Sequence, residues 1–208
     1  MKPSESSRLR RSLDSLFLAF NQSLSTYIPT SDISKINDGD LTIDVDDFFV
    51  EVFEKSKRIH QETDGFFDPT VGNLVNAYGF GPEKGNFTLS DSLINEFMKD
   101  IGFEKVSLKD RKINKENPNV YLDFNSIAKG FAIDIIARFF DSKKVDNYLI
   151  EIGGEIRSKG SKKDNKPWVI QIVNPANIQD ENGFERIVDY RFLLIYKVFI
   201  VTDTYLNA

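Results

Sequence analysis

Residues 121–130, Tyr121-Leu122-Asp123-Phe124-Asn125-Ser126-Ile127-Ala128-Lys129-Gly130, read as a strand that runs into the start of a helix. A helix N-terminus presents unpaired backbone N–H groups and the positive end of the helix dipole, so such a turn favours anions. Lys129, in or near the first turn, adds a full positive charge able to reach a phosphate. Gly130 lets backbone or ligand approach the helix closely. Asp123, just upstream, is placed to accept a hydrogen bond from a ligand or to hold a cation. A plainer reading stands beside this one, in which Asn125 or Ser126 caps a core helix and Asp123 and Lys129 satisfy each other.

Outward from this turn, strand, helix and strand follow at 120–124, 126–140 and 148–152. After Gly153-Gly154 the pattern predicts a hairpin of 155–159 with 168–173, joined by the charged loop 161–166. Upstream, Leu9, Leu13, Leu16, Phe17, Phe20 and Leu24 recur at the spacing of an amphipathic helix, not of a signal-peptide core. Ser31 is a candidate N-cap, and a second helix is predicted over 46–62, closed by Gly65. Asp68 as N-cap and Pro69 at the first helical position start a third, carrying Val71, Leu74, Val75 and Tyr78 and broken by Gly79-Phe80-Gly81-Pro82. A fourth fits 90–101, capped by Ser90 or Asp91. The class is α+β: helices followed by an antiparallel or mixed sheet with one embedded helix.

The chain has 208 residues, enough for one sizeable core, and is expected to form a single domain. Its net charge of −5 and the lack of a basic stripe argue against broad nucleic-acid binding. With no cysteine, disulfides and thiolate metal sites are excluded. The single histidine, His60, lies at helical spacing in the run 51–62 and reads as a partly exposed helix position. No membrane-spanning run, export signal or lipid-anchor cysteine is visible in the chain as written. Residues 192–201 form its most apolar segment, and Phe192, Leu193, Leu194, Ile195, Phe199 and Ile200 are expected in strands whose neighbours lie in sequence beyond residue 208.

Four segments taken together resemble the ApbE family of FAD:protein FMN transferases: 24–27 with 31–37; 63–72 with Tyr78-Gly79-Phe80-Gly81-Pro82; 123–130; and Ile150-Glu151-Ile152-Gly153-Gly154-Glu155. They come in the family's order with compatible gaps, and the resemblance is best over 9–178. It implies an ApbE/T-fold-like architecture, incomplete here. The implied reaction is Mg2+-dependent: a threonine hydroxyl of a partner flavoprotein attacks the FMN-side phosphorus of FAD, and AMP leaves. Such chemistry needs positioning and charge neutralisation more than covalent help.

Carried over to this chain, the resemblance implies FAD contacts from Tyr27, Phe66, Phe67, Asp68, Asp123 and Lys129, and a magnesium ligand at Ser126, through its backbone carbonyl in some members. Phe66 is bulkier than the family's usual small residue, and the Gly153-Gly154-Glu155 turn is expected to shape the pocket floor without direct contact. A work site outside the cytoplasm, periplasmic or membrane-anchored, is implied too. The chain departs from the family pattern by starting after its Met-Gly-Thr strand and by retaining only Thr202-Asp203-Thr204-Tyr205 of a Thr-Ser-Gly-x-Tyr motif. It is therefore read as a C-terminally truncated member lacking the N-terminal strand, impaired as a transferase. Three functional readings stay open: a transferase or FAD hydrolase, a non-catalytic FAD or nucleotide-binding module, and a structural remnant.

Overall fold

The computed structural model of the chain describes residues 3–82, 89–173, 184–187 and 199–202. It divides into two compact units, Ser7–Ala128 and, together with the first six residues, Lys129–Ala208.

In the Ser7–Ala128 unit the amphipathic run forms most of α1 (Pro3–Leu24), which buries Leu13, Phe20 and Leu24. Ser31 caps the short α2 (Asp32–Asn37), its hydroxyl accepting from the Ser34 N–H at 3.2 Å. Asp46 caps α3 (Asp47–Glu62) in the same way, accepting from the Phe49 N–H at 2.9 Å. Two left-handed residues end α3, Asp64 at φ 50° and then Gly65 at φ 82°, whose N–H donates to the His60 carbonyl at 2.9 Å. Its apolar side, Phe49, Val52 and Phe53, is wholly buried: Phe49 meets Phe124 edge-on at 5.4 Å, and Phe53 meets Phe103 at 5.0 Å. Burying aromatic rings of this size is a main source of fold stability. Ser90 caps α5 (Asp91–Met98), and the strands β1 (Val106–Lys109) and β2 (Lys112–Lys115) form a tight antiparallel hairpin.

Two sequence expectations fail in this unit. The third helix, α4, spans only Gly72–Ala77, because the Asp68 carboxylate folds back on Thr70 in a local turn and leaves 68–71 outside the helix. Residues 120–124 form no strand ladder; their one bridge is Tyr121 with Val71. Single hydrogen bonds fix the segment instead. The Asn37 amide brackets Leu122, accepting from its N–H at 2.8 Å and donating to its carbonyl at 2.9 Å. The Asp123 N–H donates to the Pro69 carbonyl at 2.7 Å.

The Lys129–Ala208 unit follows a strand logic. Helix α6 (Asn125–Ser142) continues into it, burying Phe131, Ile133, Ile136 and Phe140, the last against Tyr148 at 5.4 Å. Strands β3 (Tyr148–Ile152) and β4 (Glu155–Lys159) pair antiparallel across the two-residue turn Gly153-Gly154. Both glycines lie at positive φ, 56° and 98°, as a mirror-image hairpin turn demands. The partner of β4 is thus β3 and not 168–173. Strand β5 (Ile170–Val173) pairs instead with β6 (Phe184–Ile187). On the other edge of β3 lies β7 (Phe199–Thr202), antiparallel, giving the order β4-β3-β7. Phe199 and Ile200 therefore have a strand neighbour within the chain, contrary to expectation, because β3 leaves a free edge that β7 fills. Phe192, Leu193, Leu194 and Ile195 lie outside the described residues. The α+β class, helices first and antiparallel strands with one embedded helix after, is what the chain adopts.

Candidate functional site

The start of α6 gathers three chain segments. Asp123 is buried, and its Oδ1 accepts the Asn125 N–H at 2.7 Å, so the group that fixes this helix start is Asp123 rather than Asn125 or Ser126. The Asn125 side chain also donates to the Thr26 hydroxyl, at 3.2 Å. Asp123 is tied through its N–H to Pro69, and Asn125 through its amide to Thr26. The segments holding Tyr27 and Asp68 are thereby stitched to the same turn. Ser126 is exposed in the first turn of α6. Burial pushes the Asp123 carboxyl above the ordinary carboxylate range, against hydrogen bonds from Asn125 that favour the ionised form.

The aromatic residues named from the sequence are on the surface. Tyr27 is 57% exposed and its hydroxyl donates to the Phe80 carbonyl at 3.0 Å, joining the first and second resemblance segments. Phe66 is 96% exposed, and Phe67 is half-buried. An unburied ring is costly for folding alone and apt for stacking on a planar ligand.

Asp68 holds a loop together. Its Oδ1 accepts the Thr70 N–H at 2.8 Å and the Thr70 hydroxyl at 2.5 Å, and its Oδ2 accepts the Phe103 N–H at 3.1 Å. The Thr70 hydroxyl in turn accepts the Gly102 N–H at 2.8 Å. His60 supports the same loop: its Nδ1 donates to the Phe67 carbonyl at 2.8 Å and lies 3.7 Å from Asp68 Oδ2. Sequence reasoning missed the parts played by His60, which acts on the loop that follows its own helix, and by Asn37 and Thr70, whose bonds join residues far apart in sequence. It also missed Asn76, buried with neither amide atom hydrogen-bonded among the described residues, beside a Gly81 with no Cβ to displace it. In the other unit, Lys129 is half-buried, and its stem runs over Gly153.

The ApbE family profile matches residues 2–193. The chain belongs to the ApbE family. Curated FAD:protein FMN transferases of Vibrio cholerae and Haemophilus influenzae are 33% and 34% identical, covering 89% and 82% of this chain but 56% and 52% of their own lengths. The chain thus spans about half the length of the curated relatives it matches. Among solved structures, the flavin transferase ApbE of Vibrio cholerae superposes with a TM-score of 0.77 at 34% identity, covering 84% of this chain and 58% of that one. The apbe protein of Thermotoga maritima gives 0.75 at 26% identity, covering 90% and 60%. Each shares the α+β fold described above.

Magnesium prefers six oxygens in a near-ideal octahedron. Among the described residues no three His, Asp or Glu side chains converge. The described residues do not by themselves fit the ion.

Proposed function

We propose that this chain acts in transfer of FMN from FAD to a threonine of a partner flavoprotein, with release of AMP. The observation that carries it is the stitching of Thr26, Pro69 and the Asp123–Asn125 turn into one cluster within an ApbE-family fold. The names of its relatives supply the substrate, FAD, and the class of acceptor, a protein.

The chemistry asked of these residues is binding and orientation. The threonine oxygen forms a bond to the FMN-side phosphorus while the bond from that phosphorus to the bridging oxygen breaks. AMP departs with that oxygen, and the hydroxyl proton passes to solvent or a nearby base. The exposed rings of Tyr27, Phe66 and Phe67 offer planar faces to FAD. Lys129 supplies positive charge for the diphosphate, and Asp123 accepts hydrogen bonds from the nucleotide. Asp68, its oxygens engaged by Thr70 and Phe103, keeps the Phe66–Phe67 loop in shape and contributes to the nucleotide contact from there. Mg2+ dependence, with Ser126 as one ligand, and a work site outside the cytoplasm belong to the proposal on the family resemblance alone.

The test is AMP release from FAD with Mg2+ and a threonine-containing flavoprotein domain, followed by mass spectrometry of the acceptor. An acceptor heavier by one FMN, with equal AMP, is the expected result. FAD retained without AMP would support the binding-module reading; FMN plus AMP with an unmodified acceptor would indicate a hydrolase.

A further inference from the structure

Helix α6 and strand β4 face each other through a ladder of charges. Alternate residues of β4 reach points along the helix: Arg157 pairs with Asp134, and Lys159 with Asp141, about two turns further on, at 2.9 Å. One step further toward the hairpin turn stands Glu155, and there the helix offers Gly130. A Cβ on Gly130 would lie 2.6 Å from Glu155 Oε2, so the missing side chain is what lets the carboxylate rest on the helix. Lys129, the residue before Gly130, lies against the turn glycine Gly153. Its Cδ would lie 3.2 Å, and its Nζ 3.8 Å, from a Cβ on Gly153. Glutamate lies over a helix glycine and lysine over a turn glycine, and the two opposite charges attract. Burial pushes the Glu155 carboxyl up, and the positive charge of Lys129 opposes that.

We infer that Glu155 is a positioning residue for Lys129: with Gly130 and Gly153 it forms a clasp that fixes the lysine ammonium for an anionic ligand. A lysine has four rotatable stem bonds and loses much rotamer freedom when its ammonium is held in one place. A clasp present before the ligand arrives removes part of that loss from binding. The Gly153-Gly154-Glu155 turn thereby acquires a role beyond shaping a pocket floor. The inference rests on the reading above only in naming that ligand as the FAD diphosphate.

The test is a double-mutant cycle on FAD affinity, joined to an NMR measurement that needs no FAD. Glu155→Gln is expected to weaken FAD binding about tenfold with Lys129 present and less than about twofold in a Lys129→Met background, as for residues that act through one another. In the ligand-free chain labelled at lysine Cε, the resonance lost in Lys129→Met is expected to move in Glu155→Gln and in Gly130→Ala, whose new methyl displaces the same carboxylate. It should stay in place in Glu151→Gln, a charge removed elsewhere on the hairpin. Equal loss of affinity in both backgrounds, unchanged or tighter binding in Glu155→Gln, or an unmoved lysine resonance would each overturn the clasp. Unchanged FAD affinity in Lys129→Met would instead remove the FAD assignment of Lys129, and the resonance alone would then decide.

Discussion

The two units of this chain solve the same problem, holding candidate-site side chains in place, by different means. In Ser7–Ala128 the key segments have no ladder: 120–124 is held by the Asn37 amide, the Pro69 carbonyl and an isolated bridge to Val71, and 66–70 by bonds that include the Asp68 carboxylate, His60 and the Thr63 hydroxyl. In Lys129–Ala208 the positions follow from strand register, β3 pairing residue by residue with β4 and β7. Register distributes the load over many equivalent bonds. A bracket concentrates it in one side chain, so single substitutions should separate the two units sharply.

The largest effect is expected in the core beneath the bracketed segments. Phe49→Ala, removing a wholly buried ring from its contact with Phe124, should cost about 3–5 kcal/mol in denaturant unfolding. A smaller loss would mean that the 120–124 segment does not depend on that core. Next comes the bracket itself. Asn37→Ala leaves two buried backbone groups of Leu122 unpaired and should cost about 2–4 kcal/mol. Asn37→Asp, which keeps the acceptor, should cost less, and equal losses would show that only the donor matters.

Asp123 gives a pH-dependent comparison. A carboxyl whose folded-state pKa is raised adds stability that is present at low pH and lost as pH rises through that value. Asp123→Asn keeps an oxygen for the Asn125 N–H. The variant should therefore be more stable than the parent at neutral pH, by about 1 kcal/mol, with the gap closing on acidification. A gap that widened toward acid would reverse the assigned cause. The smallest effect belongs to the register-held unit: Arg157→Ala, which breaks a partly exposed ion pair with Asp134, should cost less than about 1 kcal/mol by thermal melt.

The same contrast explains what could be read from sequence. The apolar spacing of α1 and α3, the caps Ser31 and Ser90, and the Gly153-Gly154 turn are local signals, and they emerged where expected. The partner of β4 and the neighbour of β7 are choices among similar apolar strands, and no local pattern specifies them. The apolar run 120–124 imitates a strand because a bracketed extended segment and a laddered one bury the same side chains. At the candidate site, the residue types at the start of α6 pointed to an anion. The bonds that tie Thr26 and Pro69 to that turn span long stretches of sequence and carry no periodicity.

The central claim is that the start of α6 and the segments tied to it form an FAD site, and flavin-fluorescence titration tests it most directly. The parent chain is predicted to bind FAD saturably, with Lys129→Ala weaker by about 1–3 kcal/mol, as for a charge-assisted hydrogen bond, and Tyr27→Leu weakened without loss of thermal stability. No saturable binding by the parent, or parent affinity in Lys129→Ala, would contradict it.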